Sequence, residues 1–286
     1  MSDFDLSTYL DDRRQAVDAA LDSLLALPEG QADPGRLREA MRYAVLLGGK
    51  RMRPVLTIAA CEAAGGPLAN AIPAGCALEM IHAYSLVHDD LPAMDNDVER
   101  RGQPTVHVAF GHANAILVGD ALLTEAFRVL ARGVEGVSRA NMGEAVMVLA
   151  KHAGIDGMVG GQALDLEAGQ DIADLAALEE VHALKTGGLY AAAGALGALS
   201  AQAEGDVVTD LERYGLAFGI AFQHADDVLD DDQQSLRPQA LKRVDELTDE
   251  CRTIAARFGE RGRALTAIAD WVQARAKRAA AGDRRD

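Results

Sequence analysis

Two groups of aspartates, each at the end of an apolar run, are the residues of this 286-residue chain best suited to chemistry. The first, DDLPAMD, runs from Asp89 to Asp95 after MIHAYSLVH, and the second, DDVLD, runs from Asp226 to Asp230 after GLAFGIAFQHA. On a helix, Asp226 and Asp230 share one face, so their charges repel unless a cation joins them. Carboxylate oxygens suit Mg²⁺, which also binds waters and substrate phosphates. A single acidic run is usually a solvated helix end, but the pair predicts a magnesium site.

Three short basic segments stand out because the chain as a whole is acidic, with a formal charge of −16. They are GGKRMRP from Gly48, ERRGQPT from Glu99 and KTG from Lys185. Arginine suits phosphate because its planar guanidinium donates two parallel hydrogen bonds, and a lysine within an apolar helix requires a partner. The first segment, taken alone, equally fits a glycine-terminated helix whose cations favour its carboxyl end. Together with the carboxylates, the three segments indicate a site for two diphosphates.

Helices must position both aspartate clusters, because nearly every segment of the chain has a helical pattern. Ala, Leu, Glu and Arg dominate, apolar residues recur three and four positions apart, and no stretch alternates apolar and polar residues over the length of a strand. Some segments, such as 189–199, are apolar on all sides, as helices surrounded by other helices are. The expected architecture is all-α, with a single domain over residues 1–286.

Composition excludes several classes of function. With 28 Lys and Arg against 44 Asp and Glu, and only 4% aromatic residues, the chain lacks the basic and stacking surface that nucleic-acid binding requires. Its three cysteines are too few and too scattered for a disulfide framework or a metal-binding pair. The acidic amino-terminal segment does not resemble a signal peptide, and the longest uncharged stretch, 186–203, is too weakly apolar for a membrane span. We expect a cytoplasmic protein without a membrane span.

The motifs together resemble those of the trans-isoprenyl diphosphate synthases, the family of farnesyl and geranylgeranyl diphosphate synthases. The similarity runs from about Leu37 to Asp230. The segment IHAYSLVHDDLPAMDNDVERRGQPTVH matches the first aspartate-rich motif in its bacterial form, FQHADDVLD matches the second, and GGKRMRP, GGQALDL and KTG match shorter motifs. The resemblance implies an isoprenoid synthase-type helical bundle around a central apolar cavity, usually a homodimer, with Mg²⁺ as the cofactor.

The resemblance also implies a reaction and a role for each matching residue. Isopentenyl diphosphate would condense head to tail (1′-4) with an allylic diphosphate, dimethylallyl or geranyl, and diphosphate would be released. The implied Mg²⁺ ligands are Asp89, Asp95 and Asp226, supported by Asp90, Asp227 and Asp230. The implied substrate-binding residues are Lys50, Arg53, His82, Arg100, Arg101 and Lys185, and isopentenyl diphosphate would be held by Lys50, Arg53, His82 and Arg101. The implied catalytic residues are Arg100, Lys185, Thr186 and Gln223, the last two beside the developing carbocation. For His82, an ordinary core position stays an open alternative.

The length of the product depends on where the cavity ends. An elongating prenyl chain would grow along the helix that carries Asp89, and Ser85 and Tyr84 lie about 6 to 7.5 Å before that residue at a rise of 1.5 Å per residue. A bulky Tyr84 would stop growth early, which favours the C15 product, farnesyl diphosphate. If Tyr84 is an ordinary buried aromatic residue, the floor lies elsewhere and the C20 product, geranylgeranyl diphosphate, is expected.

One segment departs from the family pattern. After the second cluster the family has a lysine-containing loop, whereas here the chain passes almost directly into an amphipathic helix. The usual lysine position is occupied by Ala240, and Arg237 or Lys242 are candidate replacements. The absence of this loop leaves two alternatives open: a weakly active enzyme, or a non-catalytic partner subunit of another prenyl synthase. A metal phosphohydrolase, indicated only by an HD dipeptide, would leave the second cluster unexplained.

Overall fold

The computed structural model describes residues 4–133, 139–169, 172 and 174–282, and helices account for most of them. Numbered in chain order, they are α1 (Leu6–Leu25), α2 (Leu37–Leu46), α3 (Met52–Ala63), α4 (Leu68–Asp89), α5 (Val106–Phe110), α6 (His112–Arg132), α7 (Arg139–Ala153), α8 (Met158–Ala168), α9 (Leu175–His182), α10 (Gly188–Ser200), α11 (Asp206–Asp230), α12 (Arg237–Ala256) and α13 (Arg263–Ala280). Short 3₁₀ turns cover Pro34–Arg36, Gln234–Leu236 and Gly259–Gly262. The all-α prediction is confirmed.

Within the described ranges, the strands are confined to one two-residue ribbon, in which β1 (Glu99–Arg100) pairs antiparallel with β2 (Gln103–Pro104). Arg101 and Gly102 form the turn between them, with positive φ angles of 54° and 75°. Positive φ at both central residues is typical of the tight turns that match the twist of a hairpin. No alternation marks this ribbon in the sequence because its strands are too short to show one.

The centre of the bundle is formed by α10 and the helices that pack around it. Every residue of α10 from Gly188 to Leu199 is buried. Glycines allow α10 and α11 to pack closely. A side chain on Gly194 of α10 would clash with the backbone of α11 at Leu211, and one on Gly215 of α11 would clash with Tyr190 of α10. The small residues of these helices therefore serve close packing here. No helix of the described residues is long and apolar enough to cross a membrane.

Both aspartate clusters lie at carboxyl ends of helices. Asp89 is the last residue of α4, and Asp230 is the last residue of α11. The carboxyl end of a helix carries a partial negative charge, so acidic residues are electrostatically unfavourable there. A cation bound between such ends would remove this cost, and both ends lie on the same cavity.

Candidate active site

A cavity of about 930 Å³ lies between the carboxyl ends of α4 and α11. The residues singled out in the sequence that line it are Lys50, Arg53, His82, Tyr84, Ser85, Asp89, Arg100, Arg101, Lys185, Thr186, Gln223 and Asp226. The other four, Asp90, Asp95, Asp227 and Asp230, are not among its lining residues. The fold thus brings together side chains from both acidic clusters and all three basic segments.

Asp89 is the carboxylate of the first cluster that faces the cavity. Burial raises the pKa of Asp89 to about 6, the nearby Lys185 opposes this shift, and the negative charge of Asp95 adds to it. The turn after α4 brings Asp95 close, because its backbone N–H donates to the carbonyl oxygen of Asp89 at 2.8 Å. A half-buried carboxylate with a second one close by favours a divalent cation, which would offset the cost of burying the charge.

Asp90 does not line the cavity and instead holds Arg100, which does. Its buried carboxylate accepts hydrogen bonds from Arg100 Nε at 2.8 Å and from Arg100 Nη2 at 2.6 Å. Charge-assisted bonds of this kind fix a guanidinium strongly. The first two aspartates of the motif thus differ: Asp89 faces the cavity, and Asp90 positions a cation beside it.

The three cations of the GGKRMRP segment all border the cavity, but they differ in their partners. Arg51 is buried, and it donates to Glu79 at 2.7 Å and to Asp18 at 2.8 Å. These bonds anchor the loop between α2 and α3, while Lys50 and Arg53 are the cations of this segment that were expected to bind substrate. The spacing of the motif did not distinguish these roles.

Gly49 allows Arg101 to reach this loop. A Cβ on Gly49 would lie 2.8 Å from Arg101 Nη1, and the residue has a φ of 136°. Arg101 also donates a hydrogen bond to the carbonyl oxygen of Gly48. The second basic segment is in this way joined to the first on one wall of the cavity.

His82 and Arg53 complete that wall. Burial, together with the neighbouring Arg53 and Arg101, holds the pKa of His82 well below its usual range, so the imidazole is neutral at pH 7. Arg53 stacks on Tyr190, with its guanidinium carbon 4.6 Å from the ring centroid. Its buried Nε has no hydrogen-bond partner among the described residues. A neutral imidazole beside a guanidinium with an unsatisfied nitrogen suits an anionic ligand.

Lys185 lies in a π-helical turn, Ala183–Gly187, between α9 and α10. Such turns insert one extra residue and often occur at functional sites. The partner that was expected for this lysine is Asp165 on α8, whose Oδ2 accepts from the half-buried Lys185 Nζ at 2.6 Å. Gly161, one turn earlier on α8, permits this contact because a side chain there would clash with the Lys185 backbone. The GGQALDL and KTG motifs thus form one unit.

The same π turn connects to the second cluster through side-chain amide and carboxylate groups. Thr186 Oγ1 donates to Gln223 Oε1 at 2.8 Å, and Gln223 Nε2 donates to Asp227 Oδ1 at 3.0 Å. Asp227 is buried, and its Oδ2 lies 3.2 Å from Nε2 of His182. Asp227 therefore contacts protein groups and orients Gln223, while Asp226 lines the cavity and Asp230 is exposed.

Asp226 carries a partner that the sequence did not indicate. Burial raises the pKa of Asp226, and the guanidinium of Arg275 on α13 opposes the shift through a hydrogen bond to Oδ1. The sequence offered one signal for this partner: Arg275 is an arginine within the otherwise apolar stripe of α13, between Val272 and Ala279. It was missed because the partner lies 49 positions away along the chain.

Neither proposed replacement for the missing lysine lines the cavity. Arg237 is 2.8 Å from Asp231, and the largely exposed Lys242 pairs with Glu246 at 3.4 Å. Ala240 is buried, so a lysine at that position would meet the core. The question of which residue replaces the lysine, left open by the sequence, is therefore not answered by a cation of α12 that lines the cavity.

Comparison with known proteins places the chain in a family. The model of the polyprenyl synthetase family matches residues 34–243. The chain is 46% identical to the heterodimeric geranylgeranyl pyrophosphate synthase large subunit 1, chloroplastic, of Arabidopsis thaliana, over 80% of this chain, and it spans 62% of that relative's length. It is 38% identical to the geranylgeranyl diphosphate synthase of Cyanophora paradoxa over 95% of this chain and 97% of the relative.

A solved structure agrees over almost the whole chain. An FPP/GFPP synthase from Zymomonas mobilis superposes with a TM-score of 0.85 and 38% sequence identity, covering 94% of this chain and 98% of the other. The isoprenoid synthase-type bundle expected from the resemblance is therefore confirmed. The chain belongs to the polyprenyl synthetase family.

Proposed function

We propose that this protein is a prenyltransferase that condenses isopentenyl diphosphate head to tail with an allylic diphosphate, dimethylallyl or geranyl, and releases diphosphate. The observation that carries the proposal is one cavity lined by a carboxylate from each acidic cluster and by the five cationic side chains that were expected to bind substrate. These five are Lys50, Arg53, Arg100, Arg101 and Lys185. Two diphosphates need this many positive groups, and a metal between the clusters needs the carboxylates.

The acidic residues fit Mg²⁺, because burial raises the pKa of Asp89, a bound cation would offset that cost, and carboxylates offer hard oxygen ligands. Asp89, Asp95 and Asp226 would hold the metal with the allylic diphosphate, and Asp90, Asp227 and Asp230 would support them. When bound, Mg²⁺ neutralises the charge that grows on the leaving diphosphate. Arg100, held by Asp90, and Lys185, held by Asp165, add fixed positive charge at the same end.

The protein's own dipoles would face the allylic cation. The Thr186 hydroxyl directs its hydrogen to Gln223, so its oxygen lone pairs remain for the cavity that it lines. Such preoriented oxygens stabilise positive charge without having to reorganise during the reaction. The apolar part of the lining excludes water from the cation.

Isopentenyl diphosphate would bind on the opposite wall. Lys50, Arg53, Arg101 and the neutral His82 lie there together. They would hold the diphosphate so that the double bond attacks the cation, after which a proton passes to the released diphosphate. No protein nucleophile takes part.

For the product, we propose geranylgeranyl diphosphate (C20) first and farnesyl diphosphate (C15) second. The names of the relatives favour C20 over the C15 expected from the sequence. A specific observation keeps C15 as the second candidate. Tyr84 packs edge-on against His88 with ring centroids 5.8 Å apart, both residues line the cavity, and α6 behind them, fully described, contributes no lining residue.

The direct test incubates the purified chain with Mg²⁺, isopentenyl diphosphate and each allylic starter, followed by mass spectrometry of the dephosphorylated products. A C20 or C15 alcohol would support the activity and decide the length. A folded protein that binds diphosphate but forms no product would instead support the non-catalytic partner subunit. Light scattering tests the accompanying proposal of a homodimer, since a monomer in the active preparation would contradict it.

A further inference from the structure

The carboxyl-terminal helix α13 supplies a buried cation to the site. Arg275 is 5% exposed, and its Nη1 donates a hydrogen bond to Oδ1 of Asp226. A buried guanidinium is costly unless it is paired, so this arginine needs a specific partner. One such partner is the cavity-facing aspartate of the second cluster, Asp226.

Two aromatic rings fix the plane of the Arg275 guanidinium. Its central carbon lies 5.3 Å from the centroid of Phe222 and 6.0 Å from that of Trp271. Phe222 precedes Asp226 by one turn of α11, and Trp271 precedes Arg275 by one turn of α13, so one face of each helix forms the contact. The direction in which Arg275 meets the carboxylate is therefore set by packing.

Trp271 connects this pair to the isopentenyl side of the cavity. The Nζ of Lys50 lies 5.8 Å from the Trp271 ring centroid, close to the distance of Arg275 from the same ring. Cations at such distances from an indole ring are attracted by its quadrupole. Trp271 thus places Arg275 close to a cation that lines the cavity, although Arg275 itself lies behind the lining.

We propose that Arg275 is a positioning residue for Asp226, which it orients toward the Mg²⁺–diphosphate group of the allylic substrate. The inference rests on the proposed function and extends it to a residue outside every motif singled out in the sequence. Residues that orient a metal-binding carboxylate commonly change metal affinity about 10- to 100-fold when removed. A purely structural ion pair between α11 and α13 would instead change only the melting temperature.

The test measures binding rather than turnover. Isothermal titration calorimetry with inorganic diphosphate at several Mg²⁺ concentrations would compare the wild-type chain with R275Q, R275K and the control R278Q, which removes an exposed arginine from the same helix. We expect about tenfold weaker Mg²⁺-dependent binding for R275Q, an intermediate value for R275K and no change for R278Q. A folded R275Q that binds within about twofold of wild type would overturn the proposal.

Two further variants keep the test decisive. If R275Q does not fold, R275M retains the buried stem between the two rings, and wild-type binding by R275M would equally overturn the proposal. If Arg275 acts through Asp226, the double variant D226N/R275Q should bind Mg²⁺ and diphosphate no more weakly than D226N alone. If the two single losses of affinity instead add up in the double variant, Arg275 does not act through Asp226. Binding without turnover by the wild type would refute the proposed function and leave this inference standing, whereas absence of Mg²⁺-dependent binding would refute both.

Discussion

The Thr186 hydroxyl on the π turn donates to Gln223 Oε1 on α11 at 2.8 Å, and this bond depends on a third residue. Gln223 has its amide group oriented because Nε2 donates to Asp227 at 3.0 Å. If the amide rotated, its NH₂ group would face Thr186 and the hydroxyl would turn its hydrogen into the cavity. The second aspartate of DDVLD thus controls, from a buried position, the orientation of a dipole that lines the cavity.

Asp227→Ala should therefore lower kcat more than it changes either KM. We expect a loss of about 10- to 100-fold, because misplaced groups at a reacting centre cost this much. Steady-state kinetics with both substrates would measure it, with exposed Asp232→Ala as the control on the same acidic segment. A variant that loses only Mg²⁺ affinity would show that Asp227 is a metal ligand after all.

Asp89→Ala and Asp226→Ala should abolish Mg²⁺-dependent turnover while the chain remains folded. A metal that supplies several kcal/mol of charge stabilisation accounts for a loss of at least about 10³-fold. Initial rates across a Mg²⁺ series would measure the loss, circular dichroism would check the fold, and Asp12→Ala on the exposed face of α1 is the control. Retained activity in either variant would remove that residue from the metal site.

The sequence was sufficient for features that depend on local pattern. Apolar periodicity placed Asp89 and Asp226 at the ends of buried helices, and an isolated lysine within an apolar segment predicted a partner for Lys185. Local pattern alone did not tell which neighbour in a motif faces the cavity, because Asp89 and Asp90 differ only in the rotation of a helix end. The resemblance to the family ranked Asp89 before Asp90, and Asp89 is the one that lines the cavity. Arg275 was not predictable either, because its contact depends on how α13 packs.

Tyr84→Ala should lengthen the product. Its ring packs on His88 at the end of the lined cavity, so removing it opens space toward α6. Chromatography of the dephosphorylated products should show at least one additional C5 unit. Tyr84→Phe is the matched control, since it keeps the ring and should keep the product length. An unchanged product from Tyr84→Ala would place the floor elsewhere.

Asp89→Asn should stabilise the metal-free chain in a pH-dependent way. Burial raises the pKa of Asp89 to about 6 from the ordinary 3.8, so the folded chain holds this proton more tightly than the unfolded chain does. Stability is therefore lost as the pH rises from about 4 to about 6, and removing the charge should raise Tm at pH 8 but not below pH 4. Thermal melts in a chelator at both pH values would measure the difference, with exposed Asp120→Asn on α6 as the control. Equal effects at the two pH values would mean that the Asp89 carboxylate is not the group destabilised by burial.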